Sequence, residues 1–243
     1  MQKASNGTRA GIRPEDPTGR KGGRTVSRQV LADHVYEELL ASLMDGRLEP
    51  GAAVSIDGTA RELDVSPTPV REALARLEHT GMVRRVALKG YRVAPVFTRE
   101  DFADLMEARL AIEPVNARLA CARLNPHRLA ELEQTVTDLK SAPRGPSFAE
   151  YKDYLEADER FHQLIAQQTD NQFLLGAYAA LGGQVQRFRL FGGVGITDAE
   201  NAIAEHQSVL DALSSGDPEK AEAAMAAHIQ KVRERAMADA PEE

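Results

Sequence analysis

The chain has 243 residues, 42% of them hydrophobic and 5% aromatic, with no tryptophan. That is enough apolar material for a real core and argues against a large aromatic-lined site. The net charge of −7 speaks by itself against nucleic acid, and the single cysteine, Cys121, excludes an intramolecular disulfide. No apolar run approaches the roughly 18 residues of a membrane helix. The polar, glycine-rich start lacks the apolar stretch of a secretory signal, so a cytoplasmic protein with no membrane partner is expected.

The charge is unevenly spread. Residues 1–97 hold 15 Lys/Arg against 12 Asp/Glu, whereas residues 98–243 hold 15 against 25. Seven of those basic side chains, against two acidic, fall within residues 1–29. Residues 1–28 are rich in Gly, Arg, Thr and Pro and poor in large apolar side chains. They are expected to form a disordered basic tail, either an inert leader or one whose Arg20, Lys21 and Arg24 touch phosphates.

Residues 29–96 read as a small DNA-binding domain. Leu31, Val35, Leu39 and Leu43 recur at one helical turn and predict a helix from near Val30 to near Gly46. Glu49-Pro50-Gly51 is a turn, and Asp57 is the expected N-cap of a short helix reaching Leu63. Ser66 or Pro67 opens the next helix, with Pro69 in its first turn, where a missing N–H costs little. That helix buries Val70, Leu74 and Leu77 and stops at Gly81. Met82 to Arg85 and Tyr91 to Ala94 read as two short strands joined by a turn at Lys89-Gly90.

Three helices and a hairpin in this order form a winged helix-turn-helix, in which the second helix of the pair lies in a major groove. Ser66, Thr68 and Arg71 fall on its exposed end. Arg71 can offer two donors to guanine, and Ser66 and Thr68 can bond phosphate or base. Lys89 and Arg92 on the wing can meet backbone or minor groove, and Arg61 a phosphate. A winged module can also serve protein contacts alone. Here the turn, the basic helix end and the wing occur together, which points to DNA.

From Thr98 onward the pattern is helical throughout. The predicted helices are Arg99–Leu124, Pro126–Ser141, Phe148–Thr169, Gln172–Leu190, Thr197–Ser215 and Pro218–Ala238, separated by Pro- and Gly-rich breaks. Residues 97–240 should therefore form an all-α six-helix bundle, and the fold class is mainly α. Three of the six histidines interrupt apolar helical stripes: His162 with Leu155, Asp158 and Ile165; His206 with Ile203, Leu210 and Leu213; His228 with Met225 and Val232. Each should point inward, and burying an unpaired imidazole or carboxylate is costly. The pattern leaves two solutions open. In one, three separate core histidines each bond a carbonyl or carboxylate; in the other, Asp158, His162, His206 and His228 share a divalent cation such as zinc or nickel. Glu159 sits about 100° off the stripe. Arg187 and Arg189, on an otherwise apolar helix, are candidate effector contacts or partners of acidic neighbours.

The stretch from Val65 to Leu74, Leu77-Glu78, Gly81-Met82-Val83 and Lys89-Gly90-Tyr91-Arg92-Val93 together resemble the GntR family of bacterial transcription regulators. Leu105–Arg109, Leu110–Pro114, Asp158–His162 and Glu205-His206 resemble its FadR-type branch with an all-helical FCD effector domain. The resemblance covers about residues 30–238. It implies the shared metal site at Asp158, His162, His206 and His228, and a carboxylate-clamping role for Arg109, for which a salt bridge to an acidic neighbour is the alternative. Pro67 and Asp57 stand where many or some family members carry a DNA-touching Arg, which puts the operator sequence in doubt but not DNA binding.

The reading is a ligand-responsive transcription regulator, a repressor rather than an enzyme. It is expected to bind palindromic operator DNA as a homodimer and to sense a small organic acid through a zinc-containing helical domain. The alternatives are a metal-sensing regulator and a metal-dependent enzyme fused to a DNA-binding module.

Overall fold

A computed structural model of the chain describes residues 28–191 and 199–239. The expected tail lies outside the described residues, apart from Arg28 at its end, as does the expected helix start at Thr197. Among the described residues the order is α1 (Arg28–Met44), β1 (Ala53–Val54), α2 (Ile56–Glu62), α3 (Pro67–His79), β2 (Val83–Val86), β3 (Gly90–Val93), α4 (Arg99–Cys121), α5 (Pro126–Ser141), α6 (Phe148–Gln168), α7 (Gln172–Phe191), α8 (Ala199–Ser214) and α9 (Pro218–Asp239). The mainly α fold, with a winged helix-turn-helix ahead of a six-helix bundle, is as the sequence predicts.

Two local expectations need correction. The cap of α2 is Ser55, whose side chain accepts from Gly58 N–H, and Asp57 lies inside the first turn. Either residue type can cap. Ser55 takes the role because its extended backbone sits three residues before a free amide. Strand β1 is a further element. It pairs antiparallel with β3, Ala53 opposite Arg92 and Val54 opposite Tyr91, giving a sheet of order β1-β3-β2. Two residues are too few to show alternation in a sequence.

The first core joins Val35, Leu39 and Leu43 of α1 to Val70, Leu74 and Leu77 of α3, and to Val83, Tyr91 and Val93 of the sheet. Each fully buried aliphatic side chain contributes about 1.5–3 kcal/mol. Ser66 precedes α3 with extended backbone, Pro67 and Pro69 occupy its first turn, and Gly81 at φ +75° ends it. Arg76 fastens α3 to α1: its Nη1 donates to Asp33 Oδ1 at 2.7 Å, and its guanidinium lies 3.9 Å from the Tyr36 ring centroid.

The second core gathers α4, α5, α6, α8 and α9 around Met106, Leu132, Phe161, Ile165, Leu213, Met225 and Ile229. Helix α4 packs along α9 and also touches α6 and α7. Thr98 and Asp101 form a capping box at its start. The two cores meet at α6 and α7. Phe148, the first residue of α6, belongs to the first core, and its N–H donates to Asp45 Oδ1 at 2.8 Å. Lys152 Nζ reaches Glu37 Oε2 at 2.5 Å. Gly183 of α7 approaches so closely that a Cβ there would stand 2.7 Å from Thr80 Cα. Thus the end of α3 rests directly on a helix of the bundle.

Candidate metal centre and nucleic-acid interface

Ser66, Thr68 and Arg71 are exposed at the start of α3, Arg61 is exposed on α2, and Lys89 is exposed on the wing. The free polar face expected of a reading helix is present. Arg92 is partly buried, and its Nη1 donates to Gly51 O at 2.8 Å. It braces the wing against the turn before β1.

Inside the bundle, α6, α8 and α9 bring His162, His206 and His228 together, each with a ring nitrogen within 4.8 Å of the others'. The ring centroids are 5.1 Å apart for His162–His206, 5.2 Å for His162–His228 and 4.6 Å for His206–His228. All three are buried, His206 completely. Asp158 is buried beside this trio, its Oδ1 3.4 Å from His206 Nε2. The sequence spacing of one helical turn between Asp158 and His162 places both on the inner face of α6.

Each imidazole has its other nitrogen oriented by a partner. His206 Nδ1 lies 2.7 Å from Ala202 O. His228 Nδ1 lies 3.0 Å from Glu205 Oε2, and Arg235 holds the same carboxylate through Nη1 at 2.6 Å and Nη2 at 3.0 Å. His162 Nδ1 stands 2.6 Å from Glu113 Oε2, though off the line of a good hydrogen bond. Glu113 in turn accepts from Arg109 Nε at 2.5 Å. Two of the three histidines thus end an Arg–Glu–His chain. Such outer partners fix ring orientation and raise ligand basicity. Sequence reasoning gives Glu113, Glu205 and Arg235 no role. The available signals are the four-residue spacing of Arg109 to Glu113 and the adjacency of Glu205 to His206.

The electrostatics suit a cation. Burial, reinforced by neighbouring His228, pushes the His206 imidazole down to about 3, and burial also lowers His228. Both rings are therefore neutral at neutral pH, with a lone pair to offer. Burial opposes ionisation of Glu205, but His228 and Arg235 outweigh it and bring its carboxyl down to about 2. For Glu113 burial is likewise outweighed, by Arg109 and then His162, which hold the acid well below the usual range. His206 Nε2 is buried without a hydrogen-bond partner. A buried acceptor left unmatched among neutral imidazoles and a carboxylate is what a bound cation would satisfy, so the donor set fits a divalent metal.

A narrow cavity of about 50 Å³ opens beside the histidines, lined among others by Arg109, Asp158, His162 and Tyr178, and also by Leu40 of α1 and Lys152 of α6. It lies where the two cores meet. Arg109 keeps its place on this cavity even while paired to Glu113. The side chains of Arg187 and Arg189 lie outside the described residues.

The family model described as "Bacterial regulatory proteins, gntR family" matches residues 31–93, and the model of the FCD domain matches residues 104–231. The chain belongs to the GntR family, with an FCD domain. It is a DNA-binding transcriptional regulator, and its relatives are regulators rather than enzymes. This GntR-family chain is 29% identical over 85% of its length to the "Probable D-xylose utilization operon transcriptional repressor" of Paenarthrobacter nicotinovorans, 88% of which is covered. It is 26% identical to the HTH-type transcriptional repressor RspR of Escherichia coli K12, with 85% of this chain and 89% of RspR covered. Among solved structures, E. coli McbR/YncC shares the fold with a TM-score of 0.67 at 24% identity, over 87% of this chain and 98% of that one. A GntR regulator from Rhodococcus sp. RHA1 does so with a TM-score of 0.65 at 19% identity, over 85% and 97%. Among the described residues no helix is long and apolar enough to cross a membrane.

Proposed function

We propose that this GntR-family regulator is a repressor whose hold on operator DNA is set by a small organic acid. Its parts would be a tail (1–28), a DNA-binding unit (29–96) and an effector-binding, dimerising unit (97–240). Arg71, Thr68 and Ser66 would meet base edges or phosphates in the major groove, with Arg61, Lys89 and Arg92 at the flanks. A homodimer would set two such helices about one DNA turn, roughly 34 Å, apart on a palindromic site. The names of two relatives, both repressors, support the sign of regulation.

His162, His206 and His228, with Asp158, would hold a divalent ion, zinc or nickel. When bound, the ion supplies a Lewis-acidic centre to which a ligand carboxylate can attach. The chain's own residues do the rest. Glu113 and Glu205 keep His162 and His228 in place, and Arg109 adds positive charge on the cavity wall. Burial keeps water from competing.

The observation that carries this reading is the position of the cavity. It touches the histidine cluster on one side and Leu40 of α1 on the other. Its wall helices α6 and α7 also contact Glu37 and Thr80 of the DNA-binding unit. A ligand there has differential contacts available with two placements of that unit, which is what a shift in equilibrium requires. The deciding experiment has two arms. Elemental analysis of purified protein, with zinc titration of Asp158→Ala and His206→Ala, tests the metal. Isothermal titration of small mono- and dicarboxylic acids, with binding to a self-selected DNA duplex as readout, tests the sensor. No bound metal together with unchanged zinc affinity in both variants rejects the first. Operator affinity indifferent to every acid rejects the second.

A further inference from the structure

The folded part of the DNA-binding unit is poorly charged for its partner. Residues 30–97 hold eight Lys/Arg against ten Asp/Glu, and residues 56–79, which include α2 and α3, hold three against five. Some of those cations already serve the protein itself: Arg76 pairs with Asp33 at 2.7 Å, Arg47 lies 3.6 Å from Asp45, and Arg92 donates to Gly51 O at 2.8 Å. Arg61, Arg71, Arg84, Arg85 and Lys89 are exposed. The bundle behind them is acidic, with 15 Lys/Arg against 25 Asp/Glu in residues 98–243. Duplex DNA carries one negative charge per about 1.7 Å, and sequence-independent affinity comes from neutralising its phosphates. A unit whose reading helices are net acidic does this badly alone.

The missing positive charge stands immediately before α1. Residues 17–28 carry Arg20, Lys21, Arg24 and Arg28 and no acidic side chain. Supporting α1 does not explain them. The N-terminus of a helix is its positive end and favours acidic neighbours, yet the first turn of α1 has none. Packing does not explain them either, since Val26 is the only large apolar residue in that stretch. Their place in the chain does suit DNA. Asp33, near the start of α1, accepts from Arg76 of α3. Steps of about 7.5 Å along each helix, and about 10 Å between packed axes, set the start of α1 roughly 25 Å from Arg71. Twelve residues can span up to about 40 Å, so the cations can reach phosphates beyond those under α3.

We propose that residues 17–28 are an arm that grips the phosphate backbone beside the segment occupied by α3. Arg20, Lys21 and Arg24 would supply the sequence-independent attraction that the acidic helices lack. Gly22 and Gly23 between them would let the main chain lie close to the sugar–phosphate surface. Affinity and selectivity would then reside in different parts of the chain, and neutralising the arm would weaken all duplexes alike. This rests on DNA binding alone, not on the metal or the organic acid.

The test uses the full chain and a duplex of about 40 base pairs enriched by the protein itself from a random pool, beside a scrambled duplex of equal length. Arg20→Gln, Lys21→Gln and Arg24→Gln are combined in one variant, which should melt with the wild type. Each phosphate contact adds about 0.9 to the slope of log affinity against log salt, so three lost contacts should flatten it by about 2.7. Between about 50 and 200 mM salt the wild type should then lose roughly 40-fold more affinity than the variant. At the lower salt the variant should bind both duplexes about tenfold or more weakly, with the ratio between them preserved. Arg20→Lys with Arg24→Lys keeps the charge and should retain the wild-type slope; a fall there as large as in the glutamine variant overturns the proposal. An unchanged slope in the glutamine variant overturns it by making these residues an inert leader. Tighter binding by that variant overturns it too, by assigning the arm to the acidic bundle of its own chain. A loss confined to the selected duplex would mean base reading rather than phosphate contact, and would overturn it as well.

Discussion

His228 Nδ1 lies 3.0 Å from Glu205 Oε2, and Glu205 is fixed from its other side by Arg235. The ring is thereby held with its remaining nitrogen directed away from the carboxylate, whatever occupies the cluster. Glu205→Gln keeps the shape but removes the charge that makes the imidazole a stronger donor. Zinc affinity, measured by chelator competition, should fall about 10–100-fold. The fold should survive, because Arg235 is partly solvated. An unchanged affinity would make the Arg235–Glu205–His228 chain purely architectural.

Acid should destabilise the metal-free protein early. Burial holds the folded-state value of His206 near 3, against about 6.5 for an ordinary histidine. Between those values the unfolded chain binds a proton that the folded chain refuses, so stability complete above about pH 6.5 declines as pH falls. The limiting slope is about 1.4 kcal/mol per pH unit for one such proton. Glu205, lowered to about 2, acts in the same direction but in a more acidic window, below the ordinary carboxylate value. Metal-stripped protein should melt roughly 3 °C lower at about pH 5.5 than at about pH 7.5. A flat profile over that interval contradicts a buried, neutral His206.

Two glycines of α7 should respond oppositely to alanine. A Cβ at Gly176 meets nothing within 4 Å, whereas one at Gly183 would meet Thr80 Cα at 2.7 Å and Thr80 O at 2.9 Å. Gly176→Ala should raise stability by about 0.5–1 kcal/mol through helix propensity alone. Gly183→Ala should lose that gain and accelerate amide hydrogen exchange around Thr80 and Gly81, with zinc affinity unaltered. Equal stabilisation by both would mean that α7 and the end of α3 are not in close contact.

Arg71 is exposed and outside any core, so Arg71→Ala should leave the melting temperature unchanged. Fluorescence anisotropy on the self-selected duplex should show a loss of about 1–3 kcal/mol and relaxed preference at one base pair. Arg61→Ala should instead weaken all duplexes alike and flatten the salt dependence. Indistinguishable behaviour of the two variants would remove base reading from Arg71.

Most helix limits were legible because Pro and Gly punctuate them: Pro126 and Pro218 each open a helix, and Gly81 closes one. The inward direction of His162, His206 and His228 followed from helical period. What stayed hidden depends on distance in sequence. Glu205 meets His228 across 23 positions, and Lys152 meets Glu37 across 115. No local pattern encodes such pairs. Nor could the sequence reveal that Arg109 turns to Glu113 while lining the cavity, since both a clamp and a salt bridge satisfy the same spacing.

Phe148 has a consequence for how such regulators can be recombined. Its ring completes the core of a module that begins more than a hundred residues earlier, and its amide is held by Asp45. A fragment cut after the wing would leave that socket open to water. A chimera that joins this reading head to a foreign sensor would inherit the same gap unless the sensor presents an aromatic residue at the start of the matching helix. Head and body are interchangeable only in pairs that share this plug and socket.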